Sequence, residues 1–566
     1  MVCMCGALIT VYLLGEHVMT GARKYAAFAV LFVLVIFLTT LTFSYQRLIT
    51  RNPYVSAGDH EDSLKPQSKP RLIEQRVKLC LLKQPVLFNQ TTHPKYTKVV
   101  VLNRDQLVHQ GEVLTVKVMA GDKEGRPKTS GGDFFRARLI GSDGSVQASS
   151  AGHVTDHCNG TYTVQFPLYW VGTVSIKIQL VHPSEAVKVL QRVRETPNKR
   201  FFYCSFVDAN NTDTTRCFSS VNPSLPSYQQ CDFSKPEVNG TWVCEKPDKL
   251  PCSAVSKCRW DRLESVARTL RGVSQQEETL FQKPYIEKEL EVEPNEPIPV
   301  LERQGRRPTT QHLPPCTWDK SASVGHWSGN VWKSSVCNVR VFTQRDIQRC
   351  LANKTVYMQG DSTLRQWSER LQEIVPLYYN KNTMDFTAIL AGDNRQWNIS
   401  VRYRFHHFPL QQVNWNVFSN FRYVADELDP SPGGSNTVIV LSLWAHFTAE
   451  PLEIIRSRLY AIRGAIHRLK RRSPATQIVV RTGTTRQHRT AYTRRGAELQ
   501  FYLTGSDWLS YQITEVIREM FRADPDVVVL DTWDMSVCQP GKDAIHPDET
   551  MVDNQLNMLL SHICPN

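Results

Sequence analysis

Residues 355–375 read TVYMQGDSTLRQWSERLQEIV, and this stretch decides the fold of the C-terminal half of the chain. Its opening segment, 355–358, is short and mostly apolar or β-branched, which predicts a strand, whereas 363–375 has the spacing of apolar residues that is typical of a helix. A Gly-Asp-Ser triplet lies between them, and Gly360 permits the tight turn that such a junction requires. We therefore predict a strand that passes directly into a helix, with Ser362 at the helix start.

The rest of the C-terminal half repeats this alternation of strand and helix. Apolar strands are predicted at residues 437–444, 477–481 and 526–530, and helices at 453–472 and 509–521. Strands with helices between them form a parallel, doubly wound sheet. Ligands bind such sheets at the carboxyl ends of the strands, so the functional residues are expected there.

Two motifs fall at those ends, and together they can form a nucleophilic site. Ser362 follows the first strand, and Asp543 and His546 follow the last strand in the sequence DAIH. Histidine is the usual base that activates a serine near neutral pH, and a nearby carboxylate can fix the tautomer of its ring. Both motifs also have a structural interpretation, since Ser362, Asp361 or Asp543 can cap a helix. Their order, early and late in one α/β domain, favours the catalytic interpretation.

The N-terminus carries a signal for membrane insertion. Residues 26–43, AAFAVLFVLVIFLTTLTF, contain no charged side chain and as a helix would nearly cross a hydrocarbon core of about 30 Å. No small-residue cleavage site follows, so we predict an uncleaved signal anchor with a cytosolic tail, 1–25, and a lumenal stem, 44–95.

Cysteines and glycosylation motifs support a lumenal body. Thirteen of the fifteen cysteines lie downstream of the apolar segment, and this odd number leaves at least one thiol outside any intrachain disulfide. The same region contains six N-x-S/T acceptor sites, at Asn89, Asn159, Asn210, Asn239, Asn353 and Asn398. We predict a type II protein of the secretory pathway, held at the Golgi membrane, with a secreted form as an alternative.

Three segments precede the C-terminal domain, which is expected to span residues 316–566. Short β-patterned runs within 96–203 predict a β-sandwich. Residues 204–258 contain six cysteines without C-x-x-C spacing or paired Cys/His clusters, which indicates structural disulfides rather than a metal site. Residues 259–315 are predicted to form a helix followed by a linker rich in proline and charge.

The composition bounds the classes of partner. Of the 566 residues, 41% are hydrophobic and 21% are charged, which excludes a disordered, collagenous or polytopic membrane chain. The formal net charge of +13 favours anionic partners such as acidic glycans or lipids. Nucleic acid is not expected, because the predicted address is lumenal and the sequence has neither a P-loop nor a dinucleotide-binding glycine motif.

The sequence around these motifs resembles a known family. GDS early and D-x-x-H late is the layout of the SGNH, or GDSL, hydrolases, and MQGDSTLRQW, LSLWAHF, VVVLDTWDM and IHPDE are similar to the PC-esterase domain of the neurexophilin and PC-esterase domain (NXPE) family. Upstream, GGDFFRARL, NGTYTV and VSIKIQLVHPSEAVKVLQR resemble that family's neurexophilin-like, Ig-like sandwich. The resemblance covers nearly everything from Tyr96 to Asn566. It implies an enzyme that adds or removes acyl groups on cell-surface glycans.

The resemblance also implies roles for individual residues. Ser362 matches the nucleophile and His546 the general base, with Asp543 as the carboxylate that orients the base. The oxyanion hole departs from the family pattern, because histidine stands where glycine is expected in the second block and the third block has no asparagine. Three candidates for its donors remain: Gly360, Arg404 and His446.

No metal and no tightly bound cofactor are predicted. His406, His407, His446 and His546 could form a metal cluster, but their spacing matches no recognised zinc pattern. An acetyl donor, such as acetyl-CoA, is expected only as a co-substrate of a transferase.

Two functions of different classes remain. The first is a lumenal glycan O-acyl(acetyl)transferase or acylesterase with a Ser-His-Asp acyl-enzyme mechanism, acting on a glycan or glycoprotein such as a sialoglycan. The second is a catalytically silent secreted or surface protein of neurexophilin type, whose sandwich binds a cell-surface receptor. The complete set of Ser362, Asp543 and His546 favours the first, and the irregular oxyanion blocks favour the second.

Overall fold

The computed structural model describes residues 80, 86–103, 107–141, 147–220, 226–293, 295–303, 313–379, 386–486, 497–539 and 541–565. The predicted cytosolic tail, the predicted transmembrane segment 26–43 and most of the predicted stem lie outside these residues. Among the helices of the described part, none is both long enough and apolar enough for a membrane crossing. The described residues all belong to one compact unit, 71–566.

The described strands and helices are as follows. The strands are β1 Lys98–Val101, β2 Val108–His109, β3 Val113–Met119, β4 Phe134–Gly141, β5 Ala148–Asp156, β6 Thr161–Pro167, β7 Gly172–His182, β8 Phe201–Val207, β9 Thr212–Phe218, β10 Gln230–Asp232, β11 Val243–Glu245, β12 Val255–Asp261, β13 Lys288–Glu289, β14 Val292–Glu293, β15 Ile298–Leu301, β16 Gly325–Ser328, β17 Val331–Ser334, β18 Thr355–Gly360, β19 Tyr378–Tyr379, β20 Leu390–Asn394, β21 Ile399–Phe405, β22 Asn416–Val417, β23 Thr437–Ser442, β24 Gln477–Arg481 and β25 Val528–Leu530. The α-helices are α1 Ser184–Glu195, α2 Arg262–Arg271, α3 Gln275–Glu278, α4 Gln344–Leu351, α5 Ser362–Ile374, α6 Val424–Leu428, α7 Leu452–Arg472, α8 Ala497–Gly505, α9 Asp507–Phe521, α10 Trp533–Cys538 and α11 Glu549–Ile563. Short 3-10 helices lie at Phe88–Gln90, Pro94–Tyr96, Ser227–Gln229, Pro236–Val238, Cys252–Ala254, Thr279–Phe281 and Phe418–Asn420.

The C-terminal sheet has seven strands in the order β19-β20-β21-β18-β23-β24-β25. The five strands from β21 to β25 in this order run parallel, and β19 and β20 extend one edge in antiparallel fashion. Along the chain the parallel strands follow the order 2-1-3-4-5, which is that of a doubly wound α/β sheet. The predicted α/β class is therefore confirmed. The strand order reverses between β18 and β23, where such sheets bind their ligands.

The N-terminal part is β-rich, as predicted. A twelve-stranded arrangement contains the path β14-β1-β3-β6-β5-β4-β7-β15-β2, and β13, β16 and β17 join it from the side. Residues 149–152 of β5 pair with β4, whereas residues 153–156 pair with β6, so β5 connects the two layers of the sandwich. Alternate apolar side chains from both layers form the core, among them Val116, Val164 and Ile178, each 0% exposed.

The cysteine-rich segment forms its own sheet and its own disulfides. The sheet has the order β10-β11-β9-β8-β12-β22, so its last strand comes from the C-terminal half. Three bridges lie within the segment and three elsewhere: Cys204–Cys258, Cys217–Cys244, Cys231–Cys252, Cys80–Cys158, Cys316–Cys337 and Cys350–Cys564. The predicted structural disulfides are confirmed. Cys538 is the free thiol among the described cysteines, and burial raises its pKa to about 12, so it is inert.

The predicted boundaries between domains do not match the structure. The stretch predicted as a linker contributes β13, β14 and β15 to the sandwich, and its strands are too short to give an alternating pattern. Residues 325–334, assigned by sequence to the C-terminal domain, form the hairpin β16-β17, in which Trp327 pairs with Ser149 of β5. The sandwich is therefore completed by residues from both sides of the predicted boundary.

Candidate active site

Ser362 stands at the first position of helix α5, directly after strand β18. Asp361 is the residue that caps this helix, because its Oδ1 accepts hydrogen bonds from the N–H of Thr363 at 3.0 Å and from the Thr363 hydroxyl at 2.6 Å. Ser362 is therefore not needed as a cap, and its hydroxyl is available for chemistry. Its backbone N–H has no hydrogen-bond acceptor among the described residues. This N–H lies at the N-terminal end of the helix, where the helix dipole is positive.

The structure brings the three predicted catalytic side chains together. Ser362 Oγ lies 2.8 Å from His546 Nε2, and His546 Nδ1 lies 2.9 Å from Asp543 Oδ2 and 3.2 Å from Oδ1. An ionised carboxylate only accepts hydrogen bonds, so His546 Nδ1 carries the proton and donates a hydrogen bond to Asp543. His546 Nε2 then has its lone pair directed at the serine hydroxyl, which donates to it. This is the arrangement of a general base with its nucleophile.

The loop that carries Asp543 and His546 is held by its own backbone. Asp543 Oδ1 accepts the N–H groups of Ile545 at 2.7 Å and of His546 at 2.8 Å. Partial burial raises the pKa of Asp543, but these two donors and the His546 ring outweigh it and hold the pKa below its usual range. Gln366 on α5 donates to the carbonyl of Pro547 at 3.0 Å, which fixes the loop against the helix that begins with Ser362.

Asp361 also joins the two strands at the point where the sheet order reverses. Its carboxylate is 0% exposed, and its Oδ2 accepts the N–H of Ala445 at 2.9 Å and of Trp444 at 3.4 Å. These residues follow β23, so one side chain connects the turn after β18 with the turn after β23. Sequence reasoning assigned Asp361 only a possible capping role and missed this bridge.

A buried arginine also connects the end of β23 with the first turn of α5. Arg481, at the end of β24, is 0% exposed and donates to Ser442 Oγ at 3.1 Å and to Thr363 Oγ1. Burial lowers the pKa of Arg481 to about 10, so the side chain still carries its charge near pH 7. Burial raises the pKa of Asp361, but the neighbouring His446 ring, the Arg481 charge and the hydrogen bonds from Thr363 and Ala445 outweigh it and hold the pKa below its usual range.

Two of the predicted oxyanion donors, Gly360 and Arg404, make contacts that serve the fold. Gly360 lies inside β18, and its carbonyl accepts the N–H of His406 at 3.0 Å. A Cβ at this position would clash with the carbonyl oxygen of Ser442, so glycine is required for the close approach of β18 and β23. The guanidinium of Arg404 is held by Glu427 at 2.5 Å and by the carbonyl of Thr387 at 3.1 Å. These contacts engage two of the guanidinium nitrogens of Arg404, and its role as an oxyanion donor stays a prediction.

A second histidine determines which nitrogen of His446 carries the proton. His406 Nδ1 lies 3.1 Å from the carbonyl of Phe408, which can only accept, so this nitrogen carries the proton. Burial lowers the pKa of His406 to about 4 and that of His446 well below its usual range, so both rings are neutral near pH 7. His406 Nε2 then accepts from His446 Nδ1 at 2.8 Å, which leaves a lone pair on His446 Nε2. A lone pair repels an oxyanion, so this tautomer argues against the predicted donor role of His446.

Sequence models of two protein domains match the chain. The model described as "NXPE family member 4-like, C-terminal domain" matches residues 332–564, and the model described as "Neurexophilin" matches residues 74–274. The chain belongs to the NXPE family. This confirms the resemblance noted in the sequence. The first match covers the α/β sheet, and the second covers most of the β-sandwich.

A solved structure also aligns with this NXPE-family chain. It is an active-site mutant of a family two carbohydrate esterase from Clostridium thermocellum, with 8% sequence identity, coverage of 83% of this chain and 96% of the other, and a TM-score of 0.18. At this TM-score the likeness bears on neither fold nor function.

The histidines considered as a metal cluster have separate partners in the NXPE-family chain. His406 and His446 bond to each other, and His546 belongs to the triad geometry. His407 Nδ1 accepts the N–H of Arg422 at 2.8 Å. Among the described residues, the group His467, Asp524 and Asp526 could hold a cation, but Asp524 already binds Arg463 at 2.7 Å.

The six predicted glycosylation sites all lie on the surface of the described part. Asn89, Asn159, Asn210, Asn239, Asn353 and Asn398 are each exposed. Asn353 and Asn398 are neighbours, since the amide of Asn398 donates to Asn353 Oδ1 at 3.1 Å. The fold therefore leaves each of these side chains accessible to carry a glycan.

Proposed function

We propose that this chain is a glycan O-acyltransferase or acylesterase of the secretory-pathway lumen that works through an acyl-enzyme on Ser362. The observation that carries the proposal is the continuous hydrogen-bonded series from Ser362 Oγ through the His546 ring to Asp543, at 2.8 Å and 2.9 Å. Membership of the NXPE family supports the same class of reaction, because the sequence motifs of residues 332–564 resemble a PC-esterase domain.

The proposed reaction has two steps. In the first, His546 Nε2 takes the proton of Ser362 Oγ while that oxygen bonds to the carbonyl carbon of an acyl donor, and the leaving group departs with the proton. In the second, a hydroxyl oxygen attacks the acyl carbon and gives its proton to His546, and the bond to Ser362 Oγ breaks as that proton returns to the serine. A sugar hydroxyl as attacking group makes the chain a transferase, and water makes it an esterase.

The oxyanion of each step would be stabilised mainly by the backbone N–H of Ser362 at the start of α5. A donor of this kind is typically worth about 10²–10³ in rate. An acetyl donor such as acetyl-CoA would serve as co-substrate, and Asp543 would stabilise the imidazolium that forms on His546.

The proposed compartment rests on surface chemistry. Six disulfides require an oxidising environment, and the six acceptor asparagines are exposed to the enzymes that add glycans. Together with the predicted anchor at 26–43 they support a body in the Golgi lumen, where glycan substrates are made.

Labelling with a fluorophosphonate tests the proposal, because such probes react only with an activated serine. The test uses the whole lumenal part of the chain, expressed as a secreted glycoprotein with its disulfides intact. This protein should be labelled at Ser362 and should hydrolyse p-nitrophenyl acetate. Ser362→Ala should abolish both signals, and His546→Ala should lower both by at least about 10³-fold. Ser457→Ala, at a half-buried serine of α7, is the matched control and should behave as the unmodified chain.

The alternative function, a silent binding protein, is favoured by one observation. Arg404 already donates to Glu427 and His446 Nδ1 already pairs with His406, so both donors expected from the sequence are engaged elsewhere. If the folded protein takes up no probe and its basal turnover equals that of Ser362→Ala, the acyl-enzyme proposal is wrong and the receptor-binding function of the sandwich becomes the better proposal.

A further inference from the structure

The His406–His446 pair follows strand ends at the same edge of the sheet as Ser362 and has no part in the reaction as described so far. Strands β18 and β23 are parallel neighbours, so Ser362 and His446 both follow strand ends at the same edge of the sheet. The residues that directly precede His446 and Ser362 are joined by a hydrogen bond. Ala445, one residue before His446, donates to the carboxylate of Asp361, one residue before Ser362, at 2.9 Å.

The exposed nitrogen of this pair can only accept a hydrogen bond. The carbonyl of Phe408 requires a proton on His406 Nδ1, and His406 Nε2 in turn requires a proton on His446 Nδ1. His446 is partly exposed, and within the described residues its ring makes one hydrogen bond, through Nδ1, which leaves Nε2 without a partner. A ring that is fixed in one tautomer by two successive hydrogen bonds and is open at its acceptor atom is suited to bind a donor group.

The chemistry of that atom selects the class of ligand. A lone pair on nitrogen repels carboxylate, phosphate and carbonyl oxygens, whereas it attracts the O–H of an alcohol. Acyl transfer to a glycan brings several hydroxyls to the site at once, and only one of them attacks the acyl carbon. A neighbouring hydroxyl is therefore free to donate to a fixed acceptor.

We propose that His446 Nε2 accepts a hydrogen bond from a second, non-attacking hydroxyl of the acceptor, so that this end of the sheet is a subsite for polyhydroxylated acceptors such as sugars. The proposal rests on the proposed acyl-enzyme function. His546 remains the base: the attacking hydroxyl bonds to the acyl carbon and gives its proton to His546 Nε2, and the bond to Ser362 Oγ breaks. His446 neither gains nor loses a proton. His406 is a positioning residue that fixes the tautomer.

The experiment measures how the acetyl-enzyme divides between alcohols and water. The donor is p-nitrophenyl acetate, and the acceptors are methyl glucoside, which has several hydroxyls, and ethanol, which has one. In His446→Phe, which keeps an aromatic ring against Phe405 but removes the acceptor atom, transfer to methyl glucoside relative to hydrolysis should fall about tenfold. Transfer to ethanol should not change, since ethanol has no second hydroxyl, and the rate of fluorophosphonate labelling should stay within about twofold.

Two controls separate binding from structure. His446→Gln, which can present an amide oxygen near the position of Nε2, should recover part of the transfer to methyl glucoside. His153→Ala, an exposed histidine on β5, should leave both ratios unchanged. In the unmodified protein, ¹⁵N NMR of the histidine rings should find Nε2 of His446 without a proton, a measurement that does not depend on any variant.

Each opposite result would overturn the inference. A fall of about 10²–10³ in labelling rate for His446→Phe would make His446 an oxyanion donor. Equal losses with both alcohols, an unchanged ratio with methyl glucoside, a protonated Nε2, or transfer by the unmodified protein to ethanol but not to methyl glucoside would exclude the subsite. The failure of the proposed function is distinct from all of these, because it appears as absence of labelling at Ser362.

Discussion

Within the GDS motif, each residue has one task. Gly360 allows two strands to approach, Asp361 caps the helix and holds the neighbouring turn, and Ser362 is left with a free N–H and a hydroxyl directed at a base. The capping interpretation is therefore confirmed for Asp361, and the catalytic interpretation stays the prediction for Ser362. Because Asp361 is the cap, Ser362 can be the nucleophile.

Asp543 sets the tautomer of His546, and its replacement gives a direct test of that role. In Asp543→Asn the amide can donate to His546 Nδ1, which would then have to accept and would place the proton on Nε2. That nitrogen could no longer take the serine proton, so we expect hydrolysis of p-nitrophenyl acetate to fall by about 10³–10⁴-fold. Stopped-flow kinetics measures the rate, and circular dichroism monitors the fold. Asp319→Asn, an exposed site, is the control, and a loss below tenfold in Asp543→Asn would contradict the assigned role.

The residues of the triad could be predicted from sequence, but their surroundings could not. Ser362, Asp543 and His546 stand in short motifs whose spacing implies chemistry. Arg404 and His446 were selected as donors by their place in the second and third sequence blocks, and their partners, Glu427 and His406, come from other elements. A hydrogen-bond partner distant in sequence decides whether a side chain donates or accepts, and no local pattern reveals it.

For secondary-structure elements, length decided what the sequence could predict. The strand at 477–481 and the helix at 453–472 agree with β24 and α7 within one residue, because both carry a clear apolar period. Strands of two to four residues, such as β13 to β15, show no period. Their place in the sandwich is set by pairing with β1 and β7, so the proline-rich stretch at 283–315 gave the expectation of a linker.

The junction of β18 and α5 depends on a glycine, and two glycine substitutions test this. In Gly360→Ala the new Cβ would meet the backbone oxygen of Ser442, which cannot move without parting β18 from β23. We expect a loss of about 1–3 kcal/mol in the free energy of unfolding and slower labelling of Ser362. In Gly464→Ala, inside α7, the nearest atom is 3.4 Å away at the flexible end of Arg468, so we expect a gain of about 0.5–1 kcal/mol. Urea unfolding measures both, and equal behaviour of the two variants would refute the argument.

At the scale of the whole molecule, the sandwich and the α/β sheet are joined by buried charge. Arg136 on β4 donates to Asp507 on α9 at 2.7 Å, and the two side chains are 8% and 1% exposed. Burial raises the pKa of Asp507, although the Arg136 charge opposes this rise. Since the hairpin β16-β17 also pairs with β5, neither half is complete without the other. The two halves are therefore expected to unfold together.

A buried histidine beside this junction makes the stability of the molecule depend on pH. His182, at the end of β7, is 0% exposed, packs edge-on against Phe281 and Tyr502, and has no hydrogen-bond partner on either nitrogen within the described residues. Burial, with the charge of Arg136, lowers its pKa to about 3. The unfolded chain binds a proton below about pH 6.5 and the folded chain does not, so stability is full above that pH and falls as the pH drops towards 3.

Replacing His182 removes a group that binds a proton in the unfolded chain but not in the folded chain. We expect His182→Phe to gain about 1–1.5 kcal/mol relative to the unmodified protein when the pH is lowered from about 7.5 to about 5.5, because Phe cannot take up a proton in the unfolded state. Urea unfolding at the two pH values measures the gain as a difference, so any misfit of the larger ring cancels. A His182→Phe variant whose stability fell with pH as steeply as that of the unmodified protein would show that His182 is protonated in the fold. In that case the junction between the sandwich and the α/β sheet would have to admit water.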